Sequence, residues 1–140
     1  MTYHYAAVVT GAFAPNTDSL AIEIDAPANV TIKIKTIRIT DTDGTLAPTN
    51  MNDYYRKVKL VTCSTSGTGS AFTPIEIDDN NTASVCTVET GPGTPGTIAS
   101  TIETLSIHST TDYIWQAADE DDKIIVKPGG IFAVIVNPAA

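Results

Sequence analysis

The chain has 140 residues, 8 Lys+Arg against 16 Asp+Glu, a formal net charge of −8, and 42% hydrophobic but only 6% aromatic positions. That length suits one domain, taken as 1–140, because two would each fall below the size at which a core is comfortable. The acidic balance excludes a free phosphate backbone as the main partner, and apolar runs such as 131–136 are far too short to span a membrane.

Met1, Thr2, Tyr3, His4 and Tyr5 show no basic leader and no long apolar run. No signal peptide is read there, and the segment is expected to be an N-terminal arm, 1–5. Leu20, Ile22 and Ile24 alternate with Ala21, Glu23 and Asp25, which predicts a half-buried strand with one wet face. Val30, Ile32 and Ile34 alternate with Thr31, Lys33 and Lys35. Ile37 and Ile39 then change phase, so a bulge near Lys35-Thr36 is expected to restore the face. Asp41-Thr42-Asp43-Gly44 reads as a turn, and 50–53 as at most one helical turn.

A strand follows over 54–62, then a Ser/Thr/Gly loop over 64–70 and a strand over 72–77 beginning near Pro74. Residues 78–81 form a polar turn and 84–89 another β-rich run. The sequence GPGTPG at 91–96 predicts a hard break between elements. Strands are expected near 103–108 and 113–116, with the region of Ile98 and Ile102 unassigned. Residues 123–127 and 131–136 flank Lys127-Pro128-Gly129-Gly130 and read as a hairpin. The run at 131–136 is apolar on both strand faces, which fits a fully covered strand.

Pro, Gly and β-branched residues interrupt every window with helical periodicity. Roughly eight to ten short antiparallel strands with frequent turns indicate an all-β, single-domain β-sandwich of jelly-roll or Greek-key type, with little or no helix.

Cys63 and Cys86 are too few for a structural zinc site, and in a reducing compartment they are expected to be inert apolar thiols rather than a disulfide. His4 and His108 have no ligand-like spacing. Glu23 and Asp25 point the same way from one strand. A glycosidase needs two carboxylates about 5–9 Å apart in a cleft, one of them buried, so the solvated-face reading is preferred here. Asp41-Thr42-Asp43-Gly44 lacks the remaining ligands of a calcium loop, and Asp119-Glu120-Asp121-Asp122 reads as a solvated loop tip. Residues 64–70 lack the Lys and the helix of a phosphate cradle. No catalytic, metal or cofactor site is expected.

Six of the eight basic residues lie on two strands: Lys33, Lys35 and Arg38 on one, Arg56, Lys57 and Lys59 on the other. Two uses compete, edge protection and a docking stripe for an acidic protein surface.

The stretch Ser66-Gly67-Thr68-Gly69-Ser70-Ala71-Phe72-Thr73-Pro74, followed by Asp78 and by Ala83-Ser84-Val85-Cys86-Thr87-Val88-Glu89-Thr90-Gly91-Pro92, resembles small all-β structural proteins of tailed bacteriophages, among them head decoration (capsid cement) proteins. The late Lys127-Pro128-Gly129-Gly130 turn is similar too, so the likeness covers about half the chain. It implies a non-enzymatic virion component on the capsid exterior, made in the host cytoplasm. Such a protein clamps major capsid protein subunits, often as a homotrimer, without cofactors and without contact to nucleic acid or membrane. The expected contact residues are Lys33, Lys35, Arg38, Arg56, Lys57 and Lys59 for charge, with the arm Met1, Thr2, Tyr3, His4 and Tyr5 for anchoring. The alternative is a carbohydrate-binding β-sandwich of a tail or fibre, using Tyr54, Tyr55, Tyr113 and Trp115 as an aromatic platform.

Overall fold

The computed structural model describes residues 4–9, 13, 16–39, 55–77, 83–108, 113–119 and 123–138, with Tyr55, Arg56 and His108 defined by backbone alone. Every regular element among them is a strand: β1 (Tyr5–Ala6), β2 (Ser19–Asp25), β3 (Ile32–Ile34), β4 (Thr36–Ile39), β5 (Tyr55–Cys63), β6 (Thr68–Phe72), β7 (Ile75–Glu76), β8 (Thr87–Thr94), β9 (Ile98–His108), β10 (Tyr113–Gln116), β11 (Ile124–Val126) and β12 (Ile131–Pro138). The fold is all-β. The expected turns at 41–44, 50–53 and 78–81, and Tyr54, lie outside the described residues.

Every strand pairing among the described residues is antiparallel. A six-stranded sheet runs β6-β8-β2-β12-β5-β9, and three two-stranded sheets pair β1 with β7, β4 with β10 and β3 with β11. Register shows that most of these are pieces of two long, bent ribbons. In the first, β2, β3 and β4 run against β12, β11 and β10, from Ser19↔Val136 to Ile39↔Tyr113. Its bends stay bonded: Ala26 N donates to Gly130 O at 2.9 Å, Gly129 N to Pro27 O at 2.9 Å, and Ala117 N to Lys35 O at 2.9 Å. In the second, β5 and β6 run against β9 and β8, from Tyr55↔His108 to Phe72↔Val88. Here the bend is closed by Ser64 N to Thr97 O at 2.9 Å and Thr97 N to Thr65 Oγ1 at 2.9 Å.

Two sequence expectations are corrected by this arrangement. The turn at 127–130 forms, with Gly130 N bonded to Lys127 O at 2.8 Å and Gly129 at φ 72°. Its flanks are not a hairpin, because β12 is held between β2 and β5 while β11 leaves to pair with β3. The break expected at 91–96 is also displaced. Residues 91–94 belong to β8, where Gly91-Pro92 is an irregularity against both neighbours: Thr90 and Gly93 face Ile22 and Leu20, and Thr90 and Thr94 face Ser70 and Thr68. Gly91 admits that irregularity, since a Cβ there would fall on the Leu20 carbonyl.

The six-stranded sheet cannot lie flat. β8 and β9 stand second and sixth, about 19 Å apart at normal strand spacing. Residues 95–97 join them, and four Cα steps reach at most about 15 Å. The sheet therefore curls, drawing the bend of the second ribbon across β2 and β12.

Apolar residues accordingly fill both sides of this sheet. One cluster contains Ala21, Ala26, Ile34, Val58, Leu60, Ile107, Val126, Phe132, Val134 and Val136, with Ile22, Ile24, Ile37, Tyr113 and Trp115 packed on it. It lies between the large sheet and the β3/β11 and β4/β10 pairs. A second cluster, Leu20, Val61, Cys63, Ala133 and Ile135, occupies the other face, under the ribbon bend. β12 is buried from Phe132 to Val136, as its apolar run predicts. Burying each large apolar side chain contributes about 1.5–3 kcal/mol, so the strand that serves both faces anchors the fold.

β2 has no wet face. Ala21 is the extra residue of a bulge opposite Val134 and Ile135, so Leu20 joins the second cluster while Ile22 and Ile24 face the first. The phase change after Ile34 is real. The strand breaks at Lys35, and Ile32, Ile34, Ile37 and Ile39 all reach the first cluster.

Candidate functional site

Glu23 is the most informative departure from the sequence reading. Expected on a solvated face, it is 1% exposed, because the bend of the second ribbon crosses above it. The Gly67 amide donates to both Glu23 carboxyl oxygens, at 2.9 and 3.2 Å, and Ser66 Oγ donates to Asp25 Oδ2 at 2.8 Å. Glu89 on β8 sits directly opposite Glu23. Asp25 Oδ1 and Glu89 Oε2 are buried without a hydrogen-bond partner. Burial pushes the Glu23 carboxyl above the usual carboxylate range; the Gly67 amide opposes that, and the neighbouring Asp25 and Glu89 add to it. The same burial, reinforced by Glu23 and Asp25, pushes the Cys63 thiol up. Cys63 and Cys86 are both free. A carboxyl closed over in this way is fastened to the fold and has no open cleft above it. Sequence reading missed this because the crossing that buries Glu23 is a tertiary event.

The basic residues fall into two groups. Lys33 and Arg38 are exposed, on β3 and β4, with their neighbours Ile32, Ile34, Ile37 and Ile39 turned to the first cluster. Alternation therefore turns Lys33 and Arg38 outward; Lys35 is exposed at the break between the two strands. Directly across from Lys33 is Ile125, 56% exposed, and across from Arg38 is Ile114, 55% exposed. These two isoleucines escaped the sequence reading, although the inward Tyr113 and Trp115 imply an outward Ile114. Lys57 and Lys59 lie on β5, whose Val58 and Leu60 face the same cluster from the opposite layer. They project away from it on the far side, so the six residues do not make one stripe. Lys59 Nζ is tied to Asp18 Oδ2 at 3.2 Å. The Arg56 side chain lies outside the described residues.

Edge protection by lysine does not describe β5, which is an interior strand between β12 and β9. The outer strands of the large sheet, β6 and β9, contain no Lys or Arg. Each instead shows register irregularities against its neighbour, and such bulges twist an edge out of reach of another strand.

Of the N-terminal arm, Met1, Thr2 and Tyr3 lie outside the described residues. Tyr5 is paired to Glu76 of β7, and His4 O accepts from Ile77 N at 3.0 Å. Val8, Ile75 and Ile77 are exposed around that pair. Tyr113 and Trp115 are half-buried against the first cluster, and the Tyr54 and Tyr55 side chains lie outside the described residues. Of the acidic tip, Asp119 is exposed and Glu120, Asp121 and Asp122 lie outside the described residues. No helix among the described residues is long and apolar enough to cross a membrane. Comparison with protein-family models, with curated proteins and with solved structures gives no match for this chain.

Proposed function

We propose that the chain is a non-enzymatic structural protein of a tailed-phage virion, of the capsid decoration or cement type, folded as a jelly-roll β-sandwich. Two antiparallel ribbons, each bent so that its halves enter different layers, support the jelly-roll reading. The turn-rich likeness described above supports the virion reading. The observation that carries docking is the outward face of β3/β11 and β4/β10, where Lys33 stands across from Ile125 and Arg38 across from Ile114. Exposed isoleucines beside basic side chains suit a protein partner that is acidic at its rim and apolar at its centre.

In this reading the outer face meets the major capsid protein on the capsid exterior. Binding only the assembled shell stabilises that shell by mass action. A homotrimer touching several subunits at once gains avidity. Lys33→Glu with Arg38→Glu is expected to lower occupancy on shells about tenfold, equivalent to about 1.4 kcal/mol. Lys57→Glu with Lys59→Glu, on the opposite layer, is expected to change it less than about threefold. Occupancy is read by quantitative mass spectrometry of purified particles, with each variant's unfolding midpoint measured beside it. Equal occupancy for all three proteins removes the basic residues from the interface, and absence of the chain from virions overturns the reading.

A further inference from the structure

We propose that the Glu23 carboxyl, buried beneath Gly67 and beside Asp25 and Glu89, keeps a proton in the folded protein, and that this proton latches the bend of the second ribbon over β2, so that the crossing loosens as pH rises. The inference stands apart from the virion reading and rests on the interior of the sheet.

Among the described residues, the groups facing Glu23 come from four elements. From β2 comes Asp25, from β8 Glu89, from β5 the Cys63 thiol, and from the ribbon bend the Ser66 hydroxyl and the Gly67 amide. Among the described residues none of the three carboxyls has a cationic partner; the nearby ion pair, Lys59 with Asp18, is separate. Three ionised carboxylates in a site where Glu23 is 1% exposed would be desolvated and mutually repelled. A proton removes that repulsion. The protonated carboxyl then has one O–H to give, and Asp25 Oδ1 and Glu89 Oε2 are two buried acceptors that lack a donor. An O–H to a carboxylate oxygen is among the stronger hydrogen bonds available. These unpaired oxygens mark where the proton is needed.

The latch follows from what the cluster holds. Among the described residues, the bend is hydrogen-bonded to β2 side chains through Ser66 to Asp25 and Gly67 to Glu23. Loss of the proton leaves like charges stacked under the bend at its point of attachment. Residues 64–67 and their partners 95–97 are then expected to open before β12, which is held between two strands and buried on both faces.

Amide hydrogen exchange on the full chain tests this. Protection factors, which already correct for intrinsic base catalysis, are expected to fall at least about tenfold at 64–67, 96 and 97 as pH is raised from mildly acid to mildly alkaline, while β12 stays constant. Glu23→Gln keeps an acceptor for Gly67 and supplies a permanent N–H for Asp25, so its protection is expected to be flat with pH. The Glu23 side-chain carbon in a carbon-13 titration of the unaltered protein is expected to titrate above an ordinary glutamate. An ordinary titration, pH-independent protection, or identical behaviour in Glu23→Gln overturns the proposal. If Glu23→Gln does not fold, the carbon titration decides alone. Millimolar calcium chloride is the last arm: restored protection at high pH in the unaltered protein alone would make the cluster a cation site and overturn the proton latch.

Discussion

Gly91→Ala tests the curled sheet most directly. A Cβ at Gly91 falls on the Leu20 carbonyl oxygen, with Leu20 C at 2.9 Å and Gly93 N at 3.1 Å. All three are backbone atoms of paired strands, so no rotamer change can make room. β8 must move away from β2 near Leu20, which is itself fully buried. Overpacking of this kind costs about 1–3 kcal/mol, and each ladder bond lost adds about 1 kcal/mol. The expected loss is therefore about 2–4 kcal/mol. Unfolding a chain of 140 residues carries an entropy of about 0.3 kcal/mol/K, so Tm should fall by roughly 7–14 °C. Gly129 is the control, with φ +72° and nothing within 4 Å of its added Cβ. Gly129→Ala suffers only the left-handed backbone penalty, about 1–2 kcal/mol, and Gly129→Asn less because asparagine tolerates that region. Differential scanning calorimetry of the three variants separates the two mechanisms. A Gly91→Ala midpoint within about 2 °C of the parent would refute the close approach of β8 to β2.

Phe132→Ala removes the largest side chain that is under 2% exposed and is expected to cost about 3–5 kcal/mol in urea unfolding; a loss under about 1 kcal/mol would mean that the first cluster is not the core. Asp18 is held below the usual aspartate range, first by the Asn137 amide and then by Lys59, against a partial opposing effect of burial. Its contribution is present above the unfolded aspartate range and is lost as pH falls through the lowered value. The groups are solvent-screened, so Asp18→Asn should flatten the acid limb of the stability curve by no more than about 1 kcal/mol. Glu23 acts in the opposite sense. Its raised carboxyl stabilises the fold fully below the unfolded glutamate range, and that stability is lost as pH rises through the raised value. Glu23→Gln should therefore match the parent at mildly acid pH and exceed it once pH has risen through the raised Glu23 value.

Local pattern carried much of the architecture. The apolar run at 131–136 announces a strand covered on both faces, and β12 lies between β2 and β5 with Phe132 to Val136 buried. The phase change at Lys35 marks the point where pairing passes from β11 to β10. Both readings succeed because side-chain period and strand register are local properties. The hairpin expected around 127–130 failed for a related reason. The turn is local and forms, but the destination of β11 depends on β3, which is nearly a hundred residues away in the chain. At 91–96, Gly and Pro predict the end of a strand. In a ribbon whose halves enter different layers, glycine is what allows backbone to approach backbone without a break.

Glu23 and Lys59 show why side-chain alternation alone could not locate the site. Both occupy positions that a two-faced strand would turn to water, and both lie on the sheet face toward which the second ribbon bends. Near the bend that face is closed, so Glu23 meets the Gly67 amide and like-charged neighbours. Toward the other end of the strands Lys59 remains partly exposed and finds Asp18. The same face thus holds a solvated ion pair and a desolvated acid cluster. What distinguishes them is the three-residue link between β8 and β9, which forces the sheet to curl over one end. Loop length against strand order is the quantity that buries Glu23, and strand order is what periodicity does not contain.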